Sequence, residues 1–297
     1  MNNSTISMVA INFLNLSTPL KQDKQVLGWA IAVLLTNGCG ALANVLLLLT
    51  LILHKSLRRS ASSFLIIHTV CLDLYICAFA VPVAVIPTYL GPTYQLPRGF
   101  CKYQTLYVHM MYQAEMYAAT MLALHRAVAT VSPRVFGRMT TKAAISWMIG
   151  LPWMIASVNS LLPAVGNLGY RQVDNHLNGG CTFSITSRGA AVALANTVVG
   201  VYIPTAVMGA SYAMFIVKTC CHHSGSQRSS RNRQRRMELS RTMLILFVWH
   251  CVALYPVSIM LGLFPQQYLS NVGLQLIFKF FVYSFSAINP VRKCRKR

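Results

Sequence analysis

The chain has 297 residues, 55% of them hydrophobic and only 10% charged, against roughly 25% charged in a soluble domain. So little polar surface cannot cover a particle in water, which excludes an ordinary soluble protein. The formal net charge of +21 would suit nucleic acid if it covered one face. Instead Lys and Arg sit in short runs between long apolar segments, as in a membrane protein that orients itself by its loops, so nucleic acid is not an expected partner.

In chain order, residues 1–26 form an N-terminal segment with N-glycosylation acceptor triplets at Asn2, Asn3 and Asn15. A spanning helix needs about 20 mostly apolar residues to cross about 30 Å of hydrocarbon. Seven segments meet that length, at about 27–53, 62–89, 101–130, 143–167, 189–219, 242–264 and 269–291. The first apolar run starts too late and runs too long for a cleavable signal peptide, so the first helix is expected to serve as the insertion signal. A basic loop over 220–241 separates the fifth and sixth segments, and a short basic tail covers 292–297.

The connections divide sharply by charge. One side holds Lys55, Arg58, Arg59, Arg134, Arg138, Lys142, Lys218, Arg228, Arg231, Arg233, Arg235, Arg236, Arg241 and the five basic residues of the tail. The other holds Lys21, Lys24, Arg98, Lys102, Arg171 and Arg188, which makes eighteen against six. Loops rich in Lys and Arg stay cytoplasmic, so the C-terminus is expected inside, and an odd number of spans sends the N-terminus outside. The predicted fold class is an all-α integral membrane bundle of seven transmembrane helices. The basic stretch 228–236 is expected beside anionic membrane lipid.

Only five acidic residues occur: Asp23, Asp73, Glu115, Asp174 and Glu238. An intramembrane charge costs about 2.5–3.5 kcal/mol on insertion scales, so Asp73 in the second segment, Glu115 and Arg126 in the third and Lys279 in the seventh each need a reason. Arg126, at a cytoplasmic end, can snorkel to the interface. Asp73 and Glu115 are short and at mid-depth, and are expected to face the interior. Pro82, Pro152, Pro204, Pro256 and Pro290 fall inside five segments, where each removes a backbone donor and kinks its helix. Cys101 and Cys181 both lie on the outer, oxidising side, which favours a disulfide between them. Cys39, Cys71, Cys77 and Cys251 read as small apolar filler, and the juxtamembrane Cys220, Cys221 and Cys294 as weak palmitoylation candidates.

These landmarks, taken in order, resemble the rhodopsin-like (class A) G-protein-coupled receptors over nearly the whole chain. They are Asn44 in the first segment, Leu72-Asp73 in the second, and Tyr94 seven residues before Cys101. Arg126 follows in His125-Arg126-Ala127, then Pro133, Trp147 as the fourth-helix tryptophan, Pro204, Tyr212, Pro256 and Asn289-Pro290. The resemblance implies a plasma-membrane receptor for an extracellular ligand that couples to a heterotrimeric G protein. Arg126, Tyr212, Pro256, Asn289 and Pro290 are then the coupling and activation residues. Asp73, Asn44, Asn289 and Glu115 form an interior polar site that in many relatives holds a sodium ion.

The departures matter as much. His125 replaces the acid beside Arg126, and Arg236 stands near where some relatives place another, so both restraints on Arg126 are missing and elevated basal signalling is expected. Leu254 replaces the tryptophan before Pro256, with His250 a turn below, and Arg292-Lys293 removes the seventh-helix tyrosine. Glu115 stands where relatives carry a small polar residue, within reach of Asp73. Two such carboxylates cannot both ionise cheaply: either they share a proton or a cation sits between them. The plainer alternative is a protonated Glu115 bonded to a helix carbonyl.

Ligand-binding candidates by family position are Val108, Met111, Tyr112, Asn196, Val257, Ser258, Gln275 and Lys279, a largely apolar set that suits a small molecule, lipid or peptide. Val108 stands where amine receptors carry Asp, so a monoamine is not expected. Tyr283 holds the retinal-lysine position, which argues against retinal. Lys279, about a turn further out, either pairs with an anionic ligand such as a carboxylate or reaches up to water. A proton- or ion-linked transporter and a non-signalling decoy remain as alternative readings. No nucleophile–base pair or metal-ligand spacing points to an enzyme, and no cofactor beyond a sodium ion is expected.

Overall fold

In hydrocarbon a backbone can satisfy its polar groups only within a helix or a closed barrel, and the long apolar runs of this chain form helices. The computed structural model describes residues 19–54, 61–166, 168–176, 179–221 and 230–294. Asn2, Asn3 and Asn15 lie outside them. The order is α1 (Pro19–Leu53), α2 (61–90), α3 (100–131), α4 (Pro133–Met139), α5 (Lys142–Val165), β1 (Tyr170–Asp174) and β2 (Cys181–Ile185). It continues with α6 (190–221), α7 (Ser230–Leu263), α8 (Pro265–Ser270) and α9 (Val272–Cys294). Among the described residues, five helical stretches are long and apolar enough to cross a membrane: Lys24–Leu53, Ser62–Leu90, Lys142–Val165, Ala190–Lys218 and Val272–Asn289. In α7 the apolar stretch Phe247–Leu263 is shorter. In α3, apolar residues are interrupted by Lys102, His109, Gln113, Glu115, His125 and Arg126.

Several boundaries differ from the sequence reading. α1 begins at Pro19 rather than near 27, proline being well suited to a first helical turn because its missing N–H would be unpaired there anyway. The basic loop expected over 220–241 is shorter, since α7 already begins at Ser230. Its Arg, Gln, Met, Glu and Leu residues are good helix formers, with no Gly or Pro before Pro256. The tail expected from 292 continues the last helix to Cys294. The short helices α4 and α8 and the β1–β2 hairpin were not foreseen.

Burial is inverted relative to a soluble protein. Leu35 (65% exposed), Phe79 (62%) and Trp147 (68%) face outward, whereas Asp73, Glu115 and His125 are wholly buried. Within the bundle, packing and polar contacts hold helices together, because lipid tails are as apolar as Leu. α1 and α9 approach most closely at Gly40, where a Cβ would lie 2.5 Å from the Ala287 Cα.

The predicted kinks take a specific form at two prolines. A wide π turn, Ile76–Ala80, precedes Pro82, and another, Val198–Tyr202, precedes Pro204. A third, Thr105–His109, has no proline beside it. Pro152 and Pro256 lie within continuous helix.

Gly40→Val should therefore lower the thermal stability of the purified protein, overpacking costing about 1–3 kcal/mol. Gly38→Val, where nothing lies within 4 Å, should leave it within about 0.5 kcal/mol. Equal unfolding temperatures for the two variants would contradict this account.

Candidate functional site

The polar interior is organised along α3. His109, Gln113, Tyr117 and Thr120 recur at spacings of four, four and three, so they share one helical face. That face is turned to α5 and α6. Gln113 donates Nε2–H to the Nε2 of His109 at 2.8 Å and its Oε1 accepts from Asn159 Nδ2 at 2.6 Å. Asn159 also donates to the Asn196 carbonyl at 3.2 Å, and Asn196 Nδ2 donates to the Asn159 carbonyl at 2.7 Å. Gly200 makes room for this arrangement, because a Cβ there would sit 2.8 Å from Gln113 Nε2.

One and two turns below, α3 captures carbonyls of the wide turn in α6 and of its proline. The Tyr117 hydroxyl donates to Val199 O at 2.7 Å, and Thr120 Oγ1 lies 3.3 Å from Pro204 O and 2.8 Å from Met116 O. Thr205 Oγ1 donates to the Val201 and Tyr202 carbonyls at 2.7 and 3.1 Å and meets the Tyr255 hydroxyl of α7 at 2.7 Å.

On the other side of α3, Asn289 joins the two intramembrane carboxyl groups. Its Nδ2 donates to Asp73 Oδ1 at 2.9 Å and to Glu115 Oε1 at 3.3 Å. Asp73 and Glu115 are fully buried and Asn289 nearly so. One side-chain amide thus links α2, α3 and α9. Asn44 is also buried, but it donates to the Gly40 carbonyl of its own helix at 3.1 Å, and its Oδ1 has no hydrogen-bond partner among the described residues. Tyr212 lies within electrostatic reach of both Glu115 and Arg126 and packs edge-on against Phe247 of α7, centroids 6.0 Å apart.

At that inner end His125 turns away from the bundle centre. Its ring packs on Phe136 of α4 with centroids 5.0 Å apart, and its Nδ1 lies 3.4 Å from Ser62 Oγ. Pro290 continues α9 inward, while the side chains of Arg236, Arg292 and Lys293 fall outside the described residues. Pro256 is half-buried in α7, where His250 meets Phe285 of α9 edge-on at 4.3 Å.

The hairpin packs at the end of α3 that holds Cys101. Cys101 and Cys181 are joined with a Cα–Cα distance of 5.5 Å, so the expected disulfide ties β2 to the start of α3. β1 and β2 are antiparallel, with Tyr170 opposite Ile185 and Asp174 opposite Cys181. Thr105 of α3 donates to Gln172 Oε1 at 2.6 Å. Tyr170 stacks on Phe183 at 5.2 Å, and Phe183 meets His109 edge-on at 5.7 Å, so the lid rests on the first residue of the polar face.

The predicted ligand-binding residues are spread over α3, α6, α7 and α9. Val108, Met111 and Tyr112 share a cluster with Tyr283 between α1, α2, α3 and α9. Val257 and Ser258 are half-buried in α7, with Ser258 donating to its own helix at Leu254 O. Lys279 is half-buried in α9. Gln275 is buried and donates to Leu269 O at 2.9 Å. Asn196 is 3% exposed and its Nδ2 donates to the Asn159 carbonyl, a bond that joins α5 and α6.

One helix-four residue needs correcting. Trp147 faces outward, whereas Trp153 donates its indole N–H to His68 Nε2 of α2 at 2.9 Å and packs on the cluster of Leu72, Ala114, Ala118 and Ala156. Trp153 is the tryptophan that ties this helix to the bundle. Its distance of one residue from Pro152 hid it, and the His68 partner gave no signal without a fold. The α3 stripe was detectable in principle from four polar residues at helical spacing in an apolar run.

With this geometry in place, the family pattern described as "7 transmembrane receptor (rhodopsin family)" matches residues 43–291. The chain belongs to that family of receptors and is accordingly a multi-pass helical protein of the plasma membrane. Among known members it is similar to the human neuromedin-U receptor 1, at 29% identity over 45% of this chain and 31% of that receptor. The silkworm (Bombyx mori) allatostatin-A receptor is 22% identical over 85% of this chain and 71% of its own length. The Xenopus laevis D(1C) dopamine receptor is 24% identical over 75% and 50%. The first of these matches thus spans about a third of the relative's length.

The two tryptophans separate cleanly by experiment. Trp153→Phe should destabilise the purified protein by about 0.6–1.7 kcal/mol, the range for a hydrogen bond between membrane helices, while Trp147→Phe should leave its melting temperature unchanged. The reverse order would restore Trp147 as the structural residue.

Proposed function

We propose that the chain is a seven-span cell-surface receptor, N-terminus outside and C-terminus in the cytoplasm, that binds an extracellular ligand and signals through a heterotrimeric G protein. Family membership, the imbalance of basic residues and the lengths of α1, α2, α3, α5, α6, α7 and α9 support this topology. The observation that carries the signalling reading is the buried Asp73–Asn289–Glu115 site, which joins three helices and lies within electrostatic reach of Tyr212, itself a neighbour of Arg126 in the same sense. A ligand biases a two-state bundle only through contacts that differ between its states. Arg126 has Tyr212 rather than an adjacent acid as its neighbour, and His125 packs away onto Phe136, which leaves the arginine available to a partner entering from the cytoplasm. High basal activity follows from that missing restraint. Peptide and amine receptors both occur among the relatives, and the G protein and ligand are partners of this reading.

The interior site fits a sodium ion by its donor set. Asp73 and Glu115 supply carboxylate oxygens of the kind hard cations prefer. Ser286, a turn before Asn289 on α9, has a buried hydroxyl with no hydrogen-bond partner. When bound, the ion supplies a positive charge that relieves the repulsion between the two carboxylates. The chain's own residues do the coupling: Asn289 holds both carboxyl groups to α9, and a proton on Glu115 relieves the same repulsion without an ion.

In a nucleotide-exchange assay on the purified receptor with a G protein and no added ligand, exchange should exceed the receptor-free control. Arg126→Ala should return it to the control, and exchange already at control level with intact receptor would sink the signalling reading. Sodium and acid should each alter basal exchange, and Glu115→Gln should remove most of both dependences. A Glu115→Gln receptor with unaltered sodium and pH profiles would eliminate the carboxylate pair as their origin.

A further inference from the structure

The hydrogen bonds that join α3, α5 and α6 run in one direction only. They end on the backbone carbonyl of Asn196, which can accept but never donate. Asn159 donates Nδ2–H to that carbonyl at 3.2 Å. The same Nδ2 donates to Gln113 Oε1 at 2.6 Å, so the Gln113 amide presents its Nε2 to the Nε2 of His109, 2.8 Å away. A ring nitrogen that faces a donor at this distance has to offer a lone pair. The network therefore holds His109 neutral, with its one ring proton on Nδ1. The Asn196 side chain is a further hydrogen-bonding neighbour of the ring.

Two other observations fall on the same residue. His109 closes the wide turn Thr105–His109, which has no proline to account for it, and π turns of this kind are frequent at functional sites. Gln113, Asn159 and Asn196 are buried, whereas His109 is half-buried under Phe183 of the hairpin. It is thus the member of the network nearest the outer end of α3, and an imidazole is the side chain that gains a proton just below neutral pH.

The charged and titratable groups around the ring are few. On the hairpin, Tyr170 stacks on Phe183, and Asp174 lies beside Cys101, about two turns or 12 Å outward along α3. Arg171 is on the opposite, exposed face of β1. On α3, Lys102 is exposed at the outer end, while Tyr112 and Glu115 are turned toward α2 and α9. α5 carries only Lys142, at its other end, and α6 has none within a turn of Asn196.

We propose that His109 is a proton-binding site at the outer end of the bundle, and that its protonation loosens α3 from α5 and α6. An imidazolium has no lone pair for Gln113 Nε2. Either the His109–Gln113 bond is lost, or the Gln113 and Asn159 amides both turn over. The second course sets Asn159 Oδ1 against the Asn196 carbonyl and loses a bond between α5 and α6 instead. The cost is passed along the network and cannot be absorbed at its end. External acid is then an input separate from the Asp73–Glu115 pair.

The test is the unfolding temperature of the full-length receptor in phosphatidylcholine nanodiscs between about pH 7.5 and 4.5, on either side of the ordinary histidine value near 6.5. Every protein compared carries Glu115→Gln, so that the carboxylate pair does not contribute. Acidification should lower the unfolding temperature by roughly 2–4 °C more with His109 than with His109→Gln, whose side-chain oxygen can accept from Gln113 at every pH; this is about the shift that one lost hydrogen bond gives. Gln113→Glu puts an acceptor before the ring and keeps one for Asn159. It should cancel or reverse the acid loss, which a merely space-filling histidine would not predict, and it decides the matter if His109→Gln fails to fold.

Parallel pH curves for His109 and His109→Gln, or an acid loss unchanged by Gln113→Glu, would each overturn the assignment. No G protein is present in this measurement. A receptor that shows this acid response yet fails the nucleotide-exchange assay would therefore refute the signalling reading and leave the proton site standing.

Discussion

Hydrocarbon offers neither donors nor acceptors, so a backbone carbonyl released within the bundle is costly until another part of the same chain answers it. The wide turn before Pro204 shows how strict this requirement is. Widening the helix and removing the proline N–H release carbonyls, and α3 meets them with Tyr117 on Val199 and Thr120 on Pro204. Thr205 answers Val201 and Tyr202 from within α6. The irregularity in one helix thus fixes which side chains its neighbour must carry, and it sets the rotation of α3 relative to α6.

The same requirement explains the division of α3 into two working faces. Toward α5 and α6 it carries neutral amides, a phenol and a hydroxyl that close a network around Asn159 and Asn196. Toward α2 and α9 it carries Glu115, which with Asp73 depends on one amide from Asn289. The first arrangement has its donors and acceptors paired by neutral groups and serves as scaffold. The second concentrates ionisable groups whose balance can shift with a proton or an ion, which suits a site that responds.

Much of this was legible from the chain alone, for identifiable reasons. Long apolar runs and the lopsided placement of Lys and Arg define a membrane bundle, and two outer cysteines define the tether on the hairpin. The inward burial of Asp73 and Glu115 follows from short charged side chains that cannot reach an interface. Partners across the bundle were less visible. Trp147 and Trp153 differ by six residues, and only the packed helix shows that the second faces His68. The bonds between Asn196 and Asn159 were equally hidden, because nothing in the chain signals that the two face each other across α5 and α6. The hairpin and α4 were missed because neither carries a strong periodic signal over its five to seven residues. The early start of α7 was obscured by its charge, since basic runs suggest loops even where the residues favour helix.

The close approach of Gly40 to Ala287 has a mechanical consequence. Two helices whose backbones nearly touch cannot slide past one another there without a clash. α7 faces its neighbours differently, through the edges of aromatic rings: Phe247 on Tyr212, Trp249 on Phe281 and His250 on Phe285. Edge-on rings constrain a helix less than a backbone contact does, and the Tyr255–Thr205 bond ties α7 to α6 one residue before Pro256. The first and last long helices thus meet through backbone, whereas α7 meets its neighbours through side chains alone.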